Sequence, residues 1–379
     1  MPHSSMSHPQ ELNVEQLLHR LDALTPRVRA HASEADRLTR LPDAVVYELR
    51  ALGLFKLWVP QRYDGFELGL SETLRIYEAA GRVDGSFGWA VMIGAGGGLF
   101  AAYLDPEVAD EIYRPADAVI AGSGAPDGRA EQVAGGYQVN GRWRYASGAH
   151  YATTFTANCV VAREGQPVLD TQGKPLIRAM AFAPAQVTIH EAWNTSGMRG
   201  TGSHDFSVQN VFVPQQRSFS LFTDAAREAG QLYRLPFDVL TELPIAALAL
   251  GIARHALDAF AALTRIKRGP YSETLLAAHP MVQATCAESD ACCRSQQVTI
   301  HALAARTWQA ALANRPLLPR ELNEITNSCA LCMQDLQRAV FNLSTLAGMN
   351  AIVQDSEFAR AWRDLQTLAA HAAVSPLRE

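Results

Sequence analysis

The sequence predicts an α+β multidomain fold with an N-terminal α-helical domain (residues 1–118), a central β barrel or sandwich (119–217) and a C-terminal four-helix bundle (218–379). Three observations predict it. Apolar residues recur at helical spacing in the first part, short alternating runs broken by Gly, Pro and Asn follow, and long Ala- and Leu-rich stretches fill the last part. With 379 residues, 48% of them hydrophobic, the chain has enough apolar side chains for two or three packed units.

In the first part, Leu17, Leu21 and Leu24 lie on one helical face, and Asp105 followed by Pro106 is typical of a helix start. The segment GWAVMIGAGGGLF is unusual because it carries five glycines between Gly88 and Gly98. Glycine costs about 1 kcal/mol relative to alanine inside a helix, so something must require it. Two interpretations stay open here: tight helix packing, or the wall of a cavity opened for a ligand.

The middle part contains runs such as GGYQVNGRWRYASG and FSVQNVFVP, which read as strands. Gly135-Gly136 and Asn140-Gly141 supply residues that tolerate positive φ in turns. After Pro236 the chain returns to helix, with breaks at KRGPYSE, NRPLLPRE and AGMN that leave four helical segments.

Composition excludes several classes of protein. The formal net charge of −5 gives no field that attracts nucleic acid, and we find no uninterrupted apolar stretch of the ~18–20 residues that span a bilayer. The first ten residues lack a signal-peptide pattern, which predicts a cytoplasmic protein. The six cysteines are too sparse for a disulfide framework, and the Cys329/Cys332 pair has no second pair at zinc spacing, so no metal is indicated.

Three motifs spread along the chain resemble the acyl-CoA dehydrogenase superfamily. Residues 135–152 (GGYQVNGRWRYASGAHYA) are similar to that family's Gly-x-Tyr-x-x-Asn-Gly-x-Lys-x-Trp-Ile-Thr strand pair. Residues 193–214 (WNTSGMRGTGSHDFSVQNVFVP) resemble its Gly-Met-Arg loop and following strand, and 357–371 (EFARAWRDLQTLAAH) resemble its C-terminal Arg-x-x-Arg-Asp helix. The motifs occur in the family's order and spacing, so the resemblance covers most of the chain.

The chain departs from the dehydrogenases at the catalytic base. Those enzymes remove a proton with a glutamate that lies about eight residues after the Arg-Asp pair, and here that count leads from Asp364 to Ala372, which cannot titrate. Its neighbour is His371. Some branches of the family carry the glutamate on the first helix of the C-terminal bundle, where this chain offers Glu242, one position beyond the matching Thr241.

A C-terminal histidine together with Ser-Gly after the aromatic strand resembles the flavin-dependent two-component monooxygenase branch. Here these features are His371 and Tyr145-Ala146-Ser147-Gly148. The resemblance implies an oxygenase that takes reduced flavin, FAD or FMN, from a separate flavin reductase. It would use molecular oxygen to hydroxylate a small aromatic or heteroatom-containing substrate. Two alternatives are a divergent FAD-dependent acyl-CoA dehydrogenase using Glu242, and a flavin-carrying scaffold without activity.

The predicted catalytic residues are Ser147 and His371. A hydroxyl such as that of Ser147 donates or accepts at a flavin nitrogen, and an imidazole with a reference pKa near ~6.5 is suited to sharing a substrate proton at neutral pH. The alternatives are a strand serine bonded to backbone for Ser147, and a histidine capping the last helix for His371.

The resemblance also implies a set of flavin-binding positions. These are Ser123, Tyr145, Ala146, Ser147, Arg268 and Gly348. Arg268 matches an arginine that grips the flavin phosphates of a neighbouring subunit, which implies a homotetramer. Four further residues lie in the Gly-Met-Arg loop as a possible polar lining, of which we expect no more than one to act: Trp193, Arg199, Thr201 and Ser203.

Overall fold

The computed structural model describes residues 13–269 and 272–375. The first part is helical, as predicted. Its six helices are α1 (Val14–Ala30), α2 (Ala32–Leu38), α3 (Asp43–Ala51), α4 (Leu70–Val83), α5 (Gly85–Gly96) and α6 (Pro106–Tyr113). The predicted start at Asp105 is confirmed, because its carboxylate accepts the Glu107 N–H at the first turn of α6.

The middle part forms one sheet of eight strands. They are β1 (Ile120–Val133), β2 (Gly136–Ala146), β3 (Thr154–Arg163), β4 (Gln166–Pro167), β5 (Ile177–Phe182), β6 (Thr188–His190), β7 (His204–Pro214) and β8 (Ser218–Phe219). The main path runs β6-β7-β2-β1-β3-β5-β8, with β4 paired to β3.

The predicted barrel or sandwich is wrong, because within the described residues this sheet is open, with β6 and β8 at its two edges. These edge strands have only three and two residues, too few to close the sheet by pairing along their length. β1 and β3 pair in parallel, which strand spacing along the sequence does not reveal. The sheet curls over an aromatic core in which the Trp143 ring stacks on Phe206 at 5.1 Å.

The last part contains α7 (Val239–Thr264), α8 (Pro280–Leu312), α9 (Pro319–Ala347) and α10 (Glu357–Ala369). The C-terminal helical bundle is therefore present, and α7 lies at its centre. α7 contacts α8, α9 and α10, and it also packs along α4 of the first part. The N-terminal helices and the bundle consequently share one apolar core, while the sheet has a core of its own.

The glycine-rich segment is explained by packing at several positions. A Cβ at Gly94 would lie 2.3 Å from the Phe55 ring, and one at Gly97 would lie 2.6 Å from Ile120. Gly98 is equally close to the backbone of residue 59, whereas Gly96 has open space around it. Tight packing therefore accounts for most of these glycines.

Two described helical stretches, Gly85–Ala102 and Val239–Thr264, reach the length and apolar composition of a membrane span, contrary to the sequence expectation. Their most apolar windows are 83% and 78% buried against the rest of the fold. They pack as core helices.

Candidate active site

The end of β2 turns sharply at the predicted flavin-facing residues. Tyr145 has φ +69° and Gly148 has φ +76°, so the extended backbone of β2 ends here. Within this turn the Ser147 N–H donates back to the Tyr145 carbonyl at 3.0 Å. The Gly148 N–H donates to the Thr201 carbonyl at 2.9 Å. This turn places Ser147 between the sheet and the loop that precedes β7, while Ala146 stays buried and pairs with His204.

The hydroxyl of Ser147 is the centre of a buried polar chain. It accepts the Trp89 Nε1–H at 2.8 Å and lies 2.7 Å from the Ser203 hydroxyl. The Ser203 hydroxyl in turn lies 2.7 Å from the Thr201 hydroxyl. Ser147, Thr201 and Ser203 are each buried. Two of the four loop residues named from the sequence, Thr201 and Ser203, are thus hydrogen-bonded in one group with Ser147.

Trp89 connects Ser147 to His371. The indole and imidazole ring centroids are 5.6 Å apart at an interplanar angle of 58°. His371 follows α10 and accepts the Ala373 N–H through Nδ1 at 3.2 Å. With Nδ1 acting as an acceptor, the neutral imidazole carries its proton on Nε2. Ser147 and His371, separated by more than two hundred residues in sequence, therefore lie against the same tryptophan.

Trp89 is a site residue that sequence reasoning missed. Its only signal was its position inside the glycine-rich segment, where the possibility of a cavity wall was raised. Nothing in helical periodicity indicates that its N–H points to a serine 58 positions away.

The three family-like motifs contact one another. The Met198 N–H donates to the Asp364 carboxylate at 2.6 Å, and the Gly200 N–H donates to the Ser86 hydroxyl at 3.1 Å. A Cβ at Gly197 would lie 2.2 Å from the Arg363 carbonyl, so the loop and α10 are in direct backbone contact. The start of α5 and α10 thus hold the loop that carries Thr201 and Ser203.

Asp364 is an unusual buried carboxyl. Burial raises its pKa to about 8, with a further contribution from the neighbouring carboxylate of Asp84. Asp84 caps α5 by accepting the Phe87 N–H at 3.0 Å. The protonated form of Asp364 is consequently favoured in the folded protein near neutral pH.

Trp193 and Arg199 have structural contacts in the same loop. Trp193 donates its Nε1–H to the Met198 carbonyl at 2.9 Å and lies edge-on to the Tyr145 ring at 6.1 Å. Arg199 donates to the carbonyls of Asp36 and Thr195 at 3.1 and 2.8 Å. Tyr145 itself is 60% exposed, so its ring is available at the surface of the site.

Two histidines from different segments meet near this loop. His150, in the connection after β2, and His204, the first residue of β7, meet edge to face with centroids 5.0 Å apart. Burial lowers the pKa of both, and the neighbouring His204 lowers that of His150 further. The neutral forms are therefore favoured.

Ser123 lies where β1 separates from β3. It pairs with Ala157, after which the register shifts and pairing resumes only at Gly128. Asn158 bridges the gap by donating its side-chain N–H to the Gly124 carbonyl at 2.7 Å. A Cβ at Gly124 would meet nothing within 4 Å, so this stretch of backbone borders open space.

Arg268 and Gly348 lie apart from Ser147. The Arg268 guanidinium pairs with Glu273 in its own loop at 2.6 Å. Lys267 donates to the Ala347 carbonyl at 2.6 Å and so ties this loop to Gly348, which has φ +55°. In sequence, Gly348 precedes α10 and His371 follows it, and the 13 residues of α10 span about 20 Å.

Glu242 is buried near the start of α7, and both of its carboxylate oxygens accept from the Thr326 hydroxyl of α9, at 3.1 and 3.0 Å. Cys329 and Cys332 are also buried in α9, where burial raises the pKa of Cys332. In residues 13–269 and 272–375, no group of three or more His, Cys, Asp or Glu side chains is arranged to hold a metal ion.

The residues around Ser147 fit a flavin ring. A neutral hydroxyl, an indole and an imidazole match a ring edge that carries both donors and acceptors. The interrupted ladder after Ser123 leaves the backbone at Gly124 beside open space, and the apolar side chains of Ile93 and Ile120 and the ring of Tyr151 pack next to Ser147. Polar and apolar groups therefore lie side by side at Ser147, as a site for a planar aromatic cofactor requires.

Comparison with known proteins agrees with this geometry. The acyl-CoA dehydrogenase N-terminal domain model matches residues 21–112 and the acyl-CoA dehydrogenase C-terminal domain model matches residues 243–376, together more than half of the chain.

Individual relatives share the whole length. Indole-3-acetate monooxygenase of Pseudomonas putida is 29% identical over 347 residues, which cover 91% of this chain and 87% of that protein. The oxygenase component of the FADH(2)-dependent resorcinol hydroxylase of Rhizobium sp. is 26% identical, with coverage of 98% and 95%. The crystal structure of 3-HSA hydroxylase from Rhodococcus sp. RHA1 matches with a TM-score of 0.85 and 25% identity, over 96% of this chain and 94% of that one. The chain therefore belongs to the acyl-CoA dehydrogenase family, and these relatives are named as a monooxygenase and as hydroxylases.

Proposed function

We propose that this protein is the oxygenase component of a two-component monooxygenase that hydroxylates a small aromatic substrate with reduced flavin and molecular oxygen. The observation that carries the proposal is the contact of Trp89 with both Ser147 and His371. His371 is next to Ala372, the residue that stands where the dehydrogenases have their glutamate. The relatives named as monooxygenases of indole-3-acetate and resorcinol support an aromatic substrate.

Bound reduced flavin, FAD or FMN, supplies the activation of molecular oxygen. Ser147 holds the nitrogen edge of the ring, and Trp89 fixes the serine in place by donating its Nε1–H. The Ser123 backbone and the exposed ring of Tyr145 border the cofactor. The apolar side chains packed beside Ser147 would keep water from this edge.

His371 acts on the substrate through Nε2. Because Nδ1 accepts the Ala373 N–H, the neutral ring presents a proton at Nε2. It would therefore hold a substrate oxygen or nitrogen by a hydrogen bond from Nε2–H, with the proton staying on the imidazole.

The proposed function is tested by following isotopically labelled oxygen into the product. With a flavin reductase, NADH, FAD or FMN and a panel of phenols and indoles, we expect one ¹⁸O atom from ¹⁸O₂ in the product. Bleaching of bound flavin by an acyl-CoA thioester under anaerobic conditions, with no labelled product, would instead support the dehydrogenase alternative. Thr326 of α9 binds the Glu242 carboxylate inside the bundle, which favours a structural role for Glu242.

We also propose a homotetramer that works in the cytoplasm beside its reductase. Large apolar side chains are exposed on α8, α9 and the loop after α9, including Val298 (70%), Phe341 (53%) and Met349 (66%). Burying such a face between subunits removes apolar area from water. It would also allow Arg268 and Gly348 to bind the far end of a neighbour's flavin. Light scattering is expected to give four times the chain mass of 41.2 kDa, and a monomer mass would contradict the proposal.

A further inference from the structure

The hydroxyl protons of Ser147, Ser203 and Thr201 can be arranged in two ways. Each hydroxyl has one proton to donate and two lone pairs to accept with. The three oxygens are joined by two contacts of 2.7 Å, so one proton lies in each contact and either oxygen of a contact can be the donor. The hydrogen bonds along these three hydroxyls can therefore all point from Thr201 towards Ser147, or all from Ser147 towards Thr201.

One bond in this network has a fixed direction. The Trp89 Nε1–H is a donor only, so the Ser147 oxygen always accepts it, at 2.8 Å. Ser147 is left with one proton and one lone pair. Ser203 uses one of these, and the other is available to the flavin.

The flavin nitrogen beside Ser147 changes character with oxidation state. In oxidised flavin the central nitrogen N5 is an acceptor, and in reduced flavin it carries a hydrogen and is a donor. We propose that the chain of Thr201, Ser203 and Ser147 reverses its direction when the flavin is reduced, and that Ser203 is a positioning residue for the reduced form. This inference rests on the proposed function, because it requires flavin at Ser147.

The hydrogen bonds of Ser147 are complete in both states. With oxidised flavin, Thr201 donates to Ser203, Ser203 donates to Ser147 and Ser147 donates to N5. With reduced flavin, N5–H donates to Ser147, Ser147 donates to Ser203 and Ser203 donates to Thr201. In both cases Ser147 accepts two bonds and donates one, and the protons of the buried Ser147 and Ser203 hydroxyls keep an acceptor, without which a buried donor is costly.

Removing Ser203 affects the two states differently. In Ser203→Ala, Ser147 still donates to oxidised N5, but with reduced flavin its proton has lost its acceptor inside a buried site. We expect Ser203→Ala to weaken the binding of reduced flavin about tenfold, as an unpaired buried donor implies, and that of oxidised flavin less than about twofold. The tenfold change corresponds to a fall of about 30 mV in the potential of the bound two-electron couple.

Thr201 provides the matched pair of controls. Thr201→Val keeps the shape and removes the hydroxyl, whereas Thr201→Ser keeps the hydroxyl. We expect Thr201→Val to weaken reduced flavin binding selectively, by less than Ser203→Ala, and Thr201→Ser to leave the ratio of the two affinities unchanged.

The experiment is anaerobic titration of each full-length variant with reduced and with oxidised FAD or FMN, followed by potentiometry. A selective loss of reduced flavin affinity in Ser203→Ala supports the reversal. Equal losses for both oxidation states, or no loss for either, would overturn it. A wild-type protein that binds neither flavin, or incorporates no ¹⁸O, contradicts the proposed function instead, so the two failures are distinguishable.

Discussion

Two buried polar groups in this protein differ in charge and in surroundings. Around Ser147 the partners are neutral: an indole N–H, two hydroxyls and, across Trp89, the imidazole of His371. Around Glu242 the group is a carboxylate, bound at both oxygens by Thr326 between two helices of the bundle. The first lies where α5, the sheet and the chain after α10 meet, and the second lies within the bundle.

The difference separates two kinds of flavin chemistry on one fold. A set of hydroxyl, indole and imidazole groups beside apolar side chains suits holding a flavin edge and binding a polar substrate atom. A carboxylate suits proton abstraction next to a thioester, but only if it faces the reacting carbon. Because the fold alone does not determine the reaction, we propose that the side chains around Ser147 do.

The largest expected effect is that of His371→Ala. This variant lacks the imidazole that donates to the substrate. Product formation should therefore fall about 10²-fold or more, while flavin affinity changes less than about threefold. Single-turnover product yield and flavin titration measure the two quantities separately. Equal losses of both would contradict a role for His371 on the substrate.

Glu242→Gln is the matched control for that variant. It replaces a buried carboxylate by an amide of the same shape, so we expect product formation to change less than about threefold, against ~10²-fold for His371→Ala. A loss as large as that of His371→Ala would move the chemistry to the bundle and reverse the comparison.

Ser147→Ala should act on the flavin rather than on the substrate. Loss of one buried hydrogen bond, roughly 1.4 kcal/mol, should shorten about tenfold the delay between mixing reduced enzyme with oxygen and the appearance of oxidised flavin. Stopped-flow absorbance measures this delay. An unchanged delay with lower product would place Ser147 on the substrate side instead.

Trp89→Phe should give a smaller effect in the same assay. A phenylalanine ring keeps packing against His371 but loses the N–H that fixes Ser147. We expect the delay to shorten roughly twofold to fivefold, within the range of a neutral hydrogen bond. A larger effect than that of Ser147→Ala would contradict an action through the serine.

The smallest effect concerns stability. Because the folded pKa of Asp364 is raised above its ordinary value, the folded protein binds more protons than the unfolded chain between that value and about 8. Its contribution to stability is therefore lost as the pH rises through this window. Between pH 6 and 9 we expect the wild type to lose roughly 2 °C more in Tm than Asp364→Asn. Parallel curves for the two proteins would show that Asp364 does not titrate in this range.

The sequence carried enough information to predict the helical parts and the two residues that approach Trp89. Ser147 follows a strand with alternating residues, and His371 stands beside the position that lacks the glutamate. Both were singled out by resemblance to a family motif, and each motif lies within one segment of sequence.

Contacts between distant segments were not predictable in this way. Periodicity assigns a residue to the buried face of its own element, and it does not identify the partner. The parallel pairing of β1 with β3, the bond from Met198 to Asp364 and the approach of Trp89 to Ser147 all depend on how elements pack. The open sheet was mistaken for a closed one for the same reason.

The most direct test of the account is a crystal structure of the protein with bound flavin. We predict that the Ser147 hydroxyl lies about 3 Å from the central ring nitrogen, with the His371 imidazole next to the substrate face. A flavin with the Glu242 carboxylate over its substrate face, and with His371 turned to solvent, would contradict it.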